Sequence, residues 1–167
     1  VTGRSDIPVV FNVGNDSYTD GKKVVISSNI KDKNFYSMVG LSLHEGSHIK
    51  LSDFDFLKHL STSIPQEIRI DAEKKGFNDM MVHQHVKSLL NYVEDRRIDY
   101  YVFSTSPGYK GYYHSMYKTY FHSNIIDKAV KSNEHTNRTW DSYIFRILNF
   151  TNENRRLDVL PDLEKMY

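Results

Sequence analysis

Between Asn78 and Phe103 the chain has neither Pro nor Gly, and Val82, Val86, Leu89, Val93, Tyr100 and Phe103 recur at three- and four-residue spacing. That spacing predicts one long helix with a partly buried face, around which the rest of the fold must be arranged. In its middle stands Asn91-Tyr92-Val93-Glu94-Asp95-Arg96-Arg97-Ile98-Asp99, a dense charge cluster among apolar neighbours. Charges are costly to bury unless they are paired or bound to a metal.

A second signal supplies a reason for such a cluster. His44-Glu45-Gly46-Ser47-His48 has the form HExxH. On a helix the two histidines, four residues apart, project from one face and can occupy two corners of a tetrahedral zinc site. Glu45 then lies on the flank, where a carboxylate can act as general base towards a metal-activated water. Phe35, Met38, Val39 and Leu43 fall at helical spacing before the motif, and Asp32 is placed to cap a helix starting at Lys33 or Asn34. Gly40, Ser42, Gly46 and Ser47 keep parts of its surface small, which suits close packing in the middle of a domain. The chain has no cysteine, so His and carboxylate side chains are the route to a metal.

A third ligand is needed. The metzincin form HExxHxxGxxH would require glycine at Leu51 and histidine at Phe54, and both are absent. His83 and His85 lie more than a turn and a half upstream of the charge cluster and read as surface residues. A glutamate on a following helix, tens of residues after HExxH, resembles the gluzincin class of zinc enzymes, and this makes Glu94 the first choice. Asn91, Asp95 and Asp99 are then expected around the ligands, the aspartates accepting hydrogen bonds from the imidazoles. Arg96 or Arg97 is placed to neutralise the surplus acid.

Three blocks together carry a wider resemblance: Tyr18-Thr19-Asp20-Gly21-Lys22, Leu43 to Ile49, and Asn91 to Ile98. They are similar to the zincin-like metallopeptidase domain found ahead of von Willebrand factor A domains in bacterial and phage proteins, of which the cobaltochelatase T subunit is a distant relation. The resemblance implies His44, His48 and Glu94 as zinc ligands. It also implies partnership with a von Willebrand factor A domain and an AAA+ ATPase, and an extended peptide substrate added to a sheet edge.

The 167 residues, 39% hydrophobic and 26% charged, suit a single domain spanning 1–167, and the start on Val1 rather than Met suggests a processed chain or a piece excised from a longer protein. With 22 basic and 21 acidic residues there is no general attraction to nucleic acid or to a membrane surface. No apolar run approaches the roughly twenty residues of a membrane helix, so a cytoplasmic location is the expectation. Pro8 to Val13 and Lys23 to Ser27 are β-branched and bracket a turn region, predicting a small sheet or hairpin. After Asp32 the chain reads as helices: the HExxH helix, a piece near Phe54 to Leu60, and one with Pro65 at its first position. The long helix follows, then stretches near His114 to Phe121, Thr136 to Phe150 and Asp162 to Tyr167, with a loop over Ser104 to Gly111. The fold class is therefore α+β, predominantly α, with a small N-terminal sheet over the HExxH helix and a helical bundle after it.

Most of the 12 tyrosines must be structural, and Tyr113, Tyr117 and Tyr120 have helical spacing. Tyr109, Tyr112, Tyr113 or His114 could instead donate to the oxyanion of an amide under attack, with Tyr113 and His114 the candidates retained. The function expected is zinc-assisted hydrolysis of a polypeptide, with Glu45 as base. A catalytically silent zinc-binding adaptor and a metal-free helical interaction domain are the alternatives.

Overall fold

The computed structural model describes residues 3, 6–14, 17–28, 34–121, 124–132 and 134–152, with the side chain of Phe150 left aside. The expected cap Asp32 and the stretch from Asp162 to Tyr167 lie outside these residues. The fold is α+β and predominantly helical, as the sequence implies. Three short strands come first: β1 (Val9–Asn12), β2 (Tyr18–Thr19) and β3 (Val24–Ser27). Eight helices follow among the described residues: α1 (Phe35–Leu51), α2 (Phe54–Lys58), α3 (Leu60–Ser63), α4 (Gln66–Lys74), α5 (Asp79–Thr105), α6 (Lys110–Tyr120), α7 (Asn124–Lys131) and α8 (Trp140–Phe150).

The sheet corrects one expectation. The segments read as a possible hairpin, β1 and β3, run parallel, while β2 pairs antiparallel with β3 from its other side, giving the order β1-β3-β2. The hairpin is the local β2–β3 pair. Its turn is held by Asp20, whose Oδ1 accepts from the N–H groups of Lys22 at 2.9 Å and Lys23 at 3.1 Å. Gly21 adopts φ +85°, and a Cβ there would meet the Phe54 ring at 2.8 Å, so both backbone and space require glycine. Central strand β3 is buried along its length, whereas Val9, Val10 and Phe11 of edge strand β1 are exposed.

Helix α1 is the middle layer. Met38 and Ile49 pack on Val24 and Ile26 of β3. The opposite side places Leu41, Leu43 and Leu51 against Ile98, Val102 and Phe103 of α5 and Tyr113, Met116 and Tyr117 of α6. The small residues work as their composition suggests. Ser37 Oγ meets Ser115 Oγ at 3.0 Å and Thr119 Oγ1 at 2.7 Å on α6, and Ser47 is fully buried. At Gly40 a Cβ would strike the backbone carbonyl of Tyr112 and come within 2.9 Å of Met116 Cβ. Gly40→Ala is therefore expected to destabilise the domain: helix propensity returns about 1 kcal/mol, but overpacking against backbone costs about 1–3 kcal/mol or more. A lower urea midpoint at unchanged slope is the expected result, and a higher midpoint would refute the close approach.

Helix α5 begins where the Asn78 side chain accepts from the Met81 N–H at 2.9 Å, one residue after the sequence-predicted start. It outruns the predicted end, because Pro107 to Tyr109 form only a tight 3-10 turn before α6 starts at Lys110. Pro65 is the cap residue of α4 rather than its first helical residue. The excursion from α1 to α5 is thinly packed: α2 and α4 bury no residue, and Leu60 and Ile64 are its buried side chains. Helix α7 has no counterpart in the sequence reading, and Val130 on it packs with Phe145 of α8. Among the described residues no helix is long and apolar enough to cross a membrane.

Candidate metal centre

His44 and His48 reach one face of α1 because one helical turn separates them. Their Nε2 atoms lie 3.2 Å apart. Helix α5 crosses this face at the charge cluster and brings in Asp95, whose Oδ1 is 3.2 Å from His48 Nε2 and 3.5 Å from His44 Nε2. Donor atoms bound at about 2.0–2.1 Å around a tetrahedral zinc stand about 3.3–3.4 Å from one another. The three observed spacings match that edge length. Among the described residues, these three side chains form the group whose ligand atoms all lie within 4.8 Å of one another.

The surroundings test the fit further. Asp95 Oδ1 is buried and has no hydrogen-bond partner, although two imidazole nitrogens face it. Such an atom is costly to leave unsatisfied, and a cation between the three donors would satisfy it. Without the cation a proton takes its part. Burial works against a charged His44, but the Asp95 and Asp99 carboxylates outweigh it and hold the imidazolium up to about 10. Burial likewise opposes ionisation of Asp95, and the two histidines overcome this and hold its carboxyl down to about 2.

Glu94, the third ligand expected from sequence, is placed elsewhere. Adjacent helix positions point about 100° apart, so Glu94 and Asp95 cannot both face the imidazoles. Glu94 instead accepts from Arg97 through Nε at 2.7 Å and Nη2 at 2.6 Å, and from Ser52 Oγ at 2.5 Å. The Arg97 bonds, against some burial, hold its carboxyl below the usual glutamate range. Asp95, expected as a supporting group, occupies the position assigned to Glu94. Asp99 Oδ1 faces His44 Nδ1 at 3.6 Å, near it but too far for the hydrogen bond expected of Asp99. Its other oxygen is held by the Tyr117 hydroxyl and by Arg96 Nη2 at 3.1 Å. Asn91 is exposed one turn before Asp95 and lines the cleft.

That cleft, about 730 Å³, opens over the three donors. Ser17, Tyr18 and Thr19 border it along edge strand β2, and Leu51, Phe54 and Leu90 supply apolar wall. Glu45 lines it beside the histidines. Burial raises the Glu45 carboxyl above its ordinary range, opposed by His44, His48 and the Thr19 peptide N–H. Neither oxyanion candidate reaches the cleft. Tyr113 is completely buried between α1 and α6, its hydroxyl 3.4 Å from Ser47 Oγ. His114 points to the exterior with its ring against Phe103. Helical spacing identified the Tyr113 stripe, but Tyr113 itself faces the packing against α1 and Phe103 rather than the cleft.

Ser52 is the site residue that sequence reasoning passed over, while Arg97, expected to neutralise surplus acid, pairs with Glu94. Ser52 continues the four-residue spacing of His44 and His48, so its place on the same face was signalled. Comparison with protein-family models, curated proteins and solved structures finds no match to this chain.

Proposed function

We propose that this chain is a zinc-dependent hydrolase of peptide or other amide bonds, built on a zincin-like plan with His44, His48 and Asp95 as protein ligands. The observation that carries the reading is the near-tetrahedral spacing of three donors from two helices, one of them buried and unsatisfied, with Glu45 beside them. When bound there, zinc supplies a Lewis acid that polarises a carbonyl and acidifies water to a pKa of about 7. The residues do the rest. Glu45 takes the proton of the attacking water, and its burial makes the protonated form accessible enough for it to pass that proton to the departing amine. Asp99 faces His44 across its Nδ1 side, and Arg96 and Tyr117 fix Asp99 in turn. Edge strand β2 borders the cleft, where an extended polypeptide can add as a further strand.

One observation favours a second reading. With Tyr113 and His114 both turned away from the cleft, the expected oxyanion donors are missing, as suits a zinc-holding adaptor that works with a von Willebrand factor A domain and an AAA+ ATPase. Two measurements separate the readings. Protein prepared without chelators is expected to contain about one zinc per chain and to cleave an unfolded polypeptide in a chelator-sensitive way. Zinc without cleavage would favour the adaptor, and absence of zinc would overturn both.

A further inference from the structure

We propose that Ser52 is a positioning residue which, with Glu94 behind it, sets the tautomer and ring orientation of His48. Its purpose rests on the zinc reading above, but the direction of its hydrogen bonds does not. The argument starts at Arg97, whose guanidinium grips both oxygens of Glu94 and keeps that carboxylate ionised, so that it can only accept. Ser52 Oγ stands 2.5 Å from Glu94 Oε1, so the single hydroxyl proton of Ser52 is donated to Glu94. The Ser52 oxygen is then left as an acceptor. His48 Nδ1 lies 2.9 Å from it and must carry a proton to make that bond. A neutral imidazole protonated on Nδ1 has its lone pair on Nε2, the atom that faces His44 and Asp95.

The backbone holds the chain of bonds in place. Ser52 caps α1, its N–H donating to the His48 carbonyl at 2.8 Å. Arg97 Nη2 also donates to the Leu51 carbonyl at 2.6 Å, stitching the last turn of α1 to α5. His48, Ser52 and Glu94 are all partly shielded from water, which limits competition for these bonds. Glu94 thus serves the centre from one residue further out than a ligand would.

The test reads the His48 Nδ1–H bond and zinc affinity separately. In zinc-loaded protein, where Nε2 faces the metal and Asp95 no longer competes for a His48 proton, nitrogen NMR is expected to show a slowly exchanging His48 Nδ1–H, with Ser52→Ala exposing that proton to fast exchange and Ser52→Thr keeping it protected. Zinc affinity, measured by chelator competition, is expected to fall about ten- to a hundredfold in Ser52→Ala and Glu94→Gln. Ser52→Thr is expected to stay close to wild type. A wild-type His48 Nδ1–H that exchanges as fast as in Ser52→Ala would overturn the proposal, as would a Ser52→Ala variant with unchanged exchange and affinity. A wild-type chain that fails to bind zinc would overturn the zinc reading and the purpose of Ser52 with it, whereas zinc bound equally well by wild type and Ser52→Ala would overturn the role of Ser52 alone. If Ser52→Ala does not fold, the wild-type and Ser52→Thr spectra decide it.

Discussion

Asp95→Asn is expected to weaken zinc binding by about a hundred- to a thousandfold, the largest loss of any carboxylate change in the chain. A structural zinc site is worth about 10–16 kcal/mol over four ligands, so one ligand carries about 2.5–4 kcal/mol, and each 1.4 kcal/mol is tenfold. Asp95 is the one anionic donor of the three, and its Oδ1 has no other hydrogen-bond partner. An amide keeps the shape but not the charge. Glu94→Gln removes a charge one residue away, yet its expected loss is smaller because Glu94 is engaged by Arg97 and Ser52. Chelator competition on both variants checks the ranking. If Glu94→Gln proved the more damaging, the ligand set would be His44, His48 and Glu94.

Glu45→Gln is expected to lower the rate of amide hydrolysis by about a thousandfold while leaving zinc content near one per chain, general-base catalysis being worth roughly 10²–10⁴. The dissociation of the two readouts follows from position. Glu45 lies on the flank of the imidazole face and outside the triad, so the ligand atoms keep their spacing when its charge is removed. The amide retains a hydrogen-bonding group towards Thr19 but cannot accept the water proton. Turnover and metal content measured on the same preparation decide the matter. Equal turnover in wild type and variant would remove Glu45 from the reaction.

Much of this arrangement was written in periodicity. Four-residue spacing put His44 and His48 together, and the uninterrupted run after Asn78 announced α5 to within a residue at its start. The small residues of α1 announced a close neighbour. What periodicity could not decide was rotation about the α5 axis: Glu94 and Asp95 are consecutive, and only the crossing of α5 over α1 selects Asp95. Strand direction was equally hidden, since β-branched composition is the same for parallel and antiparallel pairs, and β2 has two residues. The orientation of Tyr113 depended on which face of α6 the Gly40 contact would claim. Sequence position leaves the choice between Arg96 and Arg97 as neutralising group open, and the structure gives each its own carboxylate, Asp99 and Glu94.

The thinly packed α2–α4 excursion, which joins α1 to α5, has a thermodynamic consequence. His48 and Asp95 bracket the α2–α4 excursion, so a cation shared by them closes a chain loop and lowers the entropy of the unfolded state. The excursion itself is held by Leu60, Ile64 and a few surface ties such as Arg69 to Asp79. Its opening exposes little apolar area and belongs to the low-energy end of local unfolding, whereas α1, packed on both sides, shares the stability of the whole molecule. Phe54, Phe56 and Leu57 of that excursion form one wall of the cleft. Detachment and reseating of that wall are therefore expected at a small fraction of the cost of unfolding, without parting the two helices that carry His44, His48 and Asp95.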